Sequence, residues 1–433
     1  MNSLPEFDHF LPLSPNLREV PKSATLAINE KSKQLIQDGH DVVRLGLGQS
    51  PFPVPPTMVS QLQSHAQTKD YMAVQGYLPL REAIAEFLQR SEGIEANAGQ
   101  ILIGPGSKEL FFGLQMALNC ELLLPAPSWV SYQPQAKLLK RHSSWLPCRA
   151  EDGWKLTAAT LEQHCQQHRG KRQLLVLNSP NNPSGACFSE QELRDLAAVA
   201  RKYRLIILSD EIYSELHYQA AHQSMARYYP EGTIISSGLS KWCGAGGWRL
   251  GTFAFPAALH WLLEGMAAVS SETFTATSAP IQYAAVRAFR GGPRIEEYLS
   301  HSRRILKALS DHVCSQLAAK GAMVAPPQGA FYIFPDFTPL KDKLAARGIS
   351  NSTEMCEKIL EQTGVALLPG TSFGRPDHEL TTRLALVDFD GAKALSTSGR
   401  YPLSEPLPDD FLGNCCFKVV EGIDRLCDWI NGN

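Results

Sequence analysis

One lysine, Lys241, stands in a run of hydroxyl-bearing residues and glycines: Ser236-Ser237-Gly238-Leu239-Ser240-Lys241-Trp242-Cys243-Gly244-Ala245-Gly246-Gly247-Trp248-Arg249-Leu250-Gly251. The apolar run 233–235 before it reads as the end of a buried strand. A lysine so placed is desolvated, which disfavours its ammonium form, lowers its pKa and makes the amine a nucleophile. Such an amine condenses with a carbonyl to a Schiff base, and pyridoxal phosphate (PLP) is the usual carbonyl partner. Ser240 and Arg249 suit its phosphate, the arginine through a two-pronged fork. Ser-Lys alone is a weak signal, shared with any Gly-rich surface loop. The whole pattern Gly-Leu-Ser-Lys-x-x-Gly-Ala-x-Gly-x-Arg-Leu-Gly is far more specific.

Other segments carry chemistry of the same kind. Asp210 and Tyr213, in Ser209-Asp210-Glu211-Ile212-Tyr213, follow the apolar run 205–208. A carboxylate at a buried strand end needs a cationic partner. A pyridinium nitrogen supplies one and becomes an electron sink when protonated. A strand end followed by a helix cap has the same composition. Asn182, in Asn178-Ser179-Pro180-Asn181-Asn182-Pro183-Ser184-Gly185, lies in a turn and offers an amide donor. Gly104-Pro105-Gly106-Ser107-Lys108-Glu109 joins a strand to a helix, and its amides and hydroxyl suit an anion. It lacks Walker A spacing, which argues against a nucleotide. Trp129 can stack on a planar ring or serve the core. Tyr71 precedes a helix that opens near Leu80. Arg383, in Thr382-Arg383-Leu384-Ala385-Leu386, is an awkward charge for a strand unless it meets a carboxylate.

The elements that must position these residues alternate. Strand-like runs at 101–103, 122–124, 174–177, 205–208 and 233–235 are interleaved with helical segments such as 110–118 and 193–202. That order predicts an α/β sandwich of three layers with a mainly parallel central sheet. Sites in such sheets lie at the carboxyl ends of the strands, where the residues above fall. Helices are expected over 23–37 and 295–320, and strands of another sheet at 329–334, 365–368 and 383–387. Residues 1–20 read as a Pro-rich arm. Residues 21–48 and 291–433 are expected to form a smaller α/β domain beside a large one over 49–290. Residues 391–413, rich in Ser, Gly and Pro, are expected to be a long loop.

Composition excludes other classes. The 41 basic and 43 acidic side chains leave a net charge of −2, with no basic block. Nucleic acid and anionic membranes therefore have no electrostatic hold. No apolar run reaches membrane-spanning length. The first ten residues show neither a secretory signal nor an Arg-rich transit pattern. Ten scattered cysteines without a CxxC pair suit reduced thiols and a cytoplasmic protein. Twelve histidines without ligand spacing give no metal site. His164 and His168 read as a solvated helix face.

Together these segments resemble the class I/II aminotransferases, fold-type I PLP enzymes, and especially their aspartate aminotransferase branch. The likeness runs from about Val43 to Phe389 in the family's order. It implies that Lys241 is the internal-aldimine lysine, that Asp210 partners the ring nitrogen, and that Tyr213 and Asn182 contact the ring oxygen. Trp129 would stack on the ring. Gly106, Ser107, Lys108, Ser240 and Arg249 would form the phosphate side, with Tyr71 entering from the second subunit of a homodimer. Arg383, Asn182 and the backbone at Gly48 would hold the substrate α-carboxylate. Many members carry serine where Gly238 stands, so one phosphate bond is expected to be lost or moved to Ser236 or Ser237.

The reaction implied is transamination between an L-amino acid and a 2-oxo acid in two half-reactions. Lys241 would serve as both base and acid. The cofactor signature does not separate this from a PLP lyase, either β-elimination or a cyclisation like that of aminocyclopropane-carboxylate synthases. Lys108 points to glutamate or aspartate as donor. Phe52 and Tyr332, read as apolar residues near the mouth, suit larger side chains too.

Overall fold

Apolar residues at alternate positions face opposite sides of a strand, and the central strands use both sides. Leu122, Leu124, Leu174, Val176, Leu208, Ile234 and Phe253 join one buried cluster. Their neighbours Leu123, Leu175, Leu177 and Ile207 join another on the opposite face. A sheet buried on both faces follows, and the computed structural model shows it. It describes residue 17 and residues 23–218 and 222–432; nearly all of the expected arm, 1–20, lies outside them.

Among the described residues twelve strands are formed: β1 (Val43–Arg44), β2 (Ile101–Gly104), β3 (Glu121–Ala126), β4 (Ser143–Pro147), β5 (Gln173–Asn178), β6 (Ile206–Asp210), β7 (Thr233–Gly238), β8 (Gly251–Ala254), β9 (Tyr332–Ile333), β10 (Val365–Ala366), β11 (Leu368–Pro369) and β12 (Thr382–Ala385). Seven make the central sheet in the order β2-β8-β7-β6-β5-β3-β4. β8 runs antiparallel to both of its neighbours, and the pairs from β7 to β4 are parallel. Sequence reading missed β4, whose Ser143-Ser144-Trp145 start is not apolar, and β8, hidden behind the glycines of the lysine loop.

A second, antiparallel sheet has the order β11-β12-β9. β1 pairs in parallel with β10, Val43 opposite Val365, so an N-terminal segment is sewn to a C-terminal one. The expected strand 329–334 shrinks to two residues. Ala330 adopts φ +63°, and its amide donates to Leu216 O (2.9 Å), which ties that end to the loop after β6 instead.

Residues 391–413 are not one long loop. Helices form at Gly391–Ser398 and Phe411–Cys415. The Asp390 side chain accepts from the Lys393 amide (3.0 Å), an N-cap. Ala394 and Ser398 are buried, and Ser398 Oγ lies 2.9 Å from His301 Nδ1 on the helix Pro293–Ala319. The composition is that of a loop, but packing on a long helix overrides it. Asp390→Ala is expected to lower stability by about 1 kcal/mol, read as a lower midpoint in urea unfolding with an unchanged slope.

Candidate active site

The carboxyl ends of β5, β6 and β7 set Asn178, Asp210 and Ser236 side by side. Asn178 Nδ2 donates to the Asp210 carbonyl (2.7 Å), and its Oδ1 accepts from the Asn182 amide (2.6 Å). The turn carrying Asn182 is thereby fixed to the strand carrying Asp210. Asp210 is buried, and burial lifts its pKa to about 6 against the pull of Tyr132, the Ile212 amide and Lys241. Tyr132 Oη donates to Asp210 Oδ2 at 2.5 Å.

Lys241 follows β7. It is half-buried. Desolvation of its amine, then the charge of Arg383, bring its pKa down to about 8. Its Nζ donates to the Gly48 carbonyl (2.8 Å) and lies 5.8 Å from the centre of the Tyr213 ring. Lysine, acid, tyrosine and the Gly48 loop therefore share one cleft.

Arg383 is 1% exposed, and among the described residues no carboxylate pairs with it. Nη1 donates to Asn182 Oδ1 (3.1 Å), and Nη2 to the Gly46 carbonyl. The guanidinium lies 4.7 Å from the Tyr332 ring centre and 5.0 Å from that of Phe373. Its Nε is buried without a hydrogen-bond partner among the described residues. A buried arginine without a counter-ion is costly, and a carboxylate is the group its fork fits.

The anion side is built on glycines. Gly104, Gly251 and Gly238 lie side by side across β2, β8 and β7. A Cβ on Gly251 would fall 2.3 Å from the Ser107 amide nitrogen, so only glycine lets the N-terminus of the helix Ser107–Ala117 sit so close. The first amides of that helix have no acceptor within it and favour an anion. Lys108 lies 5.1 Å over the Trp129 ring, and burial, then Arg249, lower its pKa. Lys108 and Arg249 thus act in one positive field. A Cβ on Gly238 would meet Leu250 O at 2.6 Å, so serine would strain the backbone here.

The structure gathers the expected Lys241, Asp210, Tyr213, Asn182, Arg383 and Gly48, and separately Gly106, Ser107, Lys108, Trp129 and Arg249. Tyr71 stands apart, 93% exposed. Phe52 and Tyr332 do not form an apolar mouth. Phe52 is buried against Tyr298 and Phe389, and Tyr332 is buried with its hydroxyl on Tyr213. Sequence reading gave no role to Tyr132 or Asn178. Tyr132 lies three residues after Trp129, and the two rings meet edge to face at 5.2 Å; that short spacing was the available signal. His164 and His168 are half-buried with stacked rings, and among the described residues no group of side chains could hold a metal.

The sequence profile named "Aminotransferase class I and II" matches residues 40–387. The chain belongs to that family. It is 32% identical over 374 residues to the aspartate aminotransferase of Bacillus sp. (strain YM-2), covering 84% of this chain and 92% of that protein. It is 30% identical over 377 residues to the asparagine–oxo-acid transaminase of Streptococcus mutans, covering 84% and 93%. Among solved structures, aspartate aminotransferase from Thermus thermophilus with maleate superposes with a TM-score of 0.82 at 25% identity, covering 96% of this chain and 99% of that one. The protein is a PLP-dependent aminotransferase of fold type I, acting on amino acid and oxo acid substrates.

The residues present fit PLP. The glycine-floored helix start with Arg249 and Lys108 offers a cradle for its phosphate, the low-pKa Lys241 an amine for its carbonyl, and buried Asp210 a partner for its ring nitrogen. Because Lys241 has a pKa of about 8 and not the ordinary 10.5, its free-base fraction rises as pH passes 8. In PLP-free protein, the rate of capture of added PLP should climb through about pH 8 and flatten above it. A rate still climbing toward pH 10 would show an ordinary lysine.

Proposed function

We propose that this aminotransferase works by a ping-pong mechanism in which Lys241 both holds the cofactor and moves the substrate's α-proton. The observation that carries this is the setting of the Lys241 amine, which donates to the Gly48 carbonyl with its pKa lowered to about 8 by burial and then by Arg383, a buried arginine whose Nε has no partner among the described residues. PLP supplies the electron sink and the temporary carrier of the amino group. The chain's own residues do the rest. Arg383 receives the α-carboxylate on its fork, with Asn182 and the Gly48 backbone beside it. That anchoring turns the α-carbon toward Lys241 Nζ. An amine with a pKa near 8 takes a proton and returns it at ordinary pH without a large cost in either direction. Tyr132 and the Ile212 amide hold the Asp210 carboxylate, which would partner the ring nitrogen. Tyr213 and Asn182 would serve the ring oxygen, and Trp129 would stack on the ring.

Aspartate or glutamate is the proposed donor. The names of the relatives favour a dicarboxylic or amide donor, and Lys108 adds a cation at the cleft. The proposed active unit is a cytoplasmic homodimer in which Tyr71 enters the partner's phosphate site. Its 93% exposure in the single chain suits a residue that acts across an interface. Among the described residues no helix is long and apolar enough to cross a membrane. Residues 21–48 and 291–433 form the proposed smaller domain, which carries Arg383 to the lysine.

The test is the half-reaction. Wild-type holoenzyme mixed with aspartate or glutamate alone should lose its visible band and release one equivalent of oxo acid. Lys241→Ala should keep the fold by circular dichroism and lose this conversion, by 10³-fold or more on the order of general-base losses. Full conversion in the variant would remove Lys241 from the proton path. Arg383→Lys should raise KM for the amino acid by roughly 10- to 100-fold while PLP affinity changes little, because lysine keeps the charge and loses the fork. An unchanged KM would take Arg383 out of the carboxylate site.

A further inference from the structure

Tyr332 lies on β9, opposite Ala385 of β12, and is 1% exposed. Its side chain touches three separate parts of the site. Its hydroxyl is 2.8 Å from that of Tyr213. Its ring lies 4.7 Å beneath the Arg383 guanidinium. Its Oη also sits against the Gly48 backbone, where a Cβ would fall only 1.9 Å away. The carbonyl of that same glycine receives the Lys241 amine.

Two facing phenols share one hydrogen bond, so one donates and the other accepts. The role proposed for Tyr213 decides which. With its single proton given to the cofactor ring oxygen, Tyr213 can only accept at the shared 2.8 Å contact, so Tyr332 is the donor between the two. Tyr213 accepts on its oxygen, which leaves its single proton to be offered elsewhere. Accepting one hydrogen bond also strengthens the one donated.

We propose that Tyr332 is a positioning residue for the reaction, its hydroxyl directing the Tyr213 proton to the cofactor ring oxygen and its ring seating the Arg383 guanidinium. The proposal rests on the roles given above to Tyr213 and Arg383. Tyr332 itself touches neither substrate nor cofactor in this scheme. It couples the two, so that the carboxylate clamp and the ring-oxygen donor are held by one side chain.

The experiment is a pH titration of the visible absorbance of PLP-loaded enzyme, in wild type, Tyr332→Phe, Tyr213→Phe and the double variant. A donor on the ring oxygen favours the deprotonated form of the bound chromophore, so weakening that donor raises the midpoint. Tyr332→Phe keeps the buried ring and should raise the midpoint by roughly half to one pH unit, the size of one neutral hydrogen bond. Tyr213→Phe should raise it more, and the double variant should match Tyr213→Phe alone, because the Tyr332 hydroxyl acts through Tyr213. If Tyr213→Phe moves the midpoint and Tyr332→Phe does not, or if the two shifts add, the proposal fails while the site reading stands. If Tyr213→Phe leaves the midpoint in place, the assignment of Tyr213 fails and takes the proposal with it. For the second half, Tyr332→Leu should raise KM for the amino acid roughly 3- to 30-fold by removing the face under Arg383, with Tyr332→Phe close to wild type in KM. Equal KM values for the two variants would overturn that half.

Discussion

Charges buried with too few partners govern this site. Lys241 has a carbonyl to donate to, Asp210 a tyrosine hydroxyl and an amide, and Arg383 a carbonyl and a side-chain amide. Among the described residues none has a counter-ion in a salt bridge. Each charged form is therefore costly, which is why the lysine is pushed down to about 8 and the aspartate up to about 6. In the proposed function a cationic ring nitrogen, a carbonyl carbon and a carboxylate would satisfy the three. Affinity for cofactor and substrate and readiness to move a proton would then have one electrostatic origin.

The scaffold keeps those charges short of partners without letting them collapse on one another. Asp210 is held by the register of β5, β6 and β7, and Asn178 locks the next turn to the same strand end. Arg383 comes from another sheet, in which β12 pairs with β11 and β9. The amine and the guanidinium therefore meet from different sheets, and each is fixed by its own backbone pairing. The anion side rests on close packing. Three glycines in adjacent strands let a helix start lie on the sheet, where a Cβ on Gly251 or Gly238 would collide with backbone and one on Gly104 with the Leu110 side chain.

The same packing explains why Gly238 is not a missing serine. Its strand neighbour Gly251 and the Leu250 carbonyl occupy the space a side chain would need. It also explains the segment after Asp388. Asp388 accepts from the Arg44 amide and guanidinium, and the next turn starts a helix that packs on the helix Pro293–Ala319. Residues 391–398 are built onto the helix Pro293–Ala319.

Alternating apolar runs and turn residues were enough to show the parallel strands, because a sheet covered on both faces must be apolar at every position. The lysine loop, Asp210, Asn182 and Arg383 were legible because a charge or amide at the end of an apolar run has few bland explanations. Local pattern did not show β4 and β8, whose pairing is supplied by neighbours and not by their own composition, nor the helix after Asp390, which exists through its contact with a helix some ninety residues earlier. Tyr132, Asn178 and Tyr332 were hidden for the same reason. A tyrosine on an apolar face looks like core until the fold brings its hydroxyl to a distant partner, 78 residues away for Tyr132 and 119 for Tyr332. Sequence by itself determined the kind of chemistry and the strand ends that bear it. Tertiary structure decided which groups share a proton, because hydrogen bonds between residues far apart in the chain leave no periodicity in it.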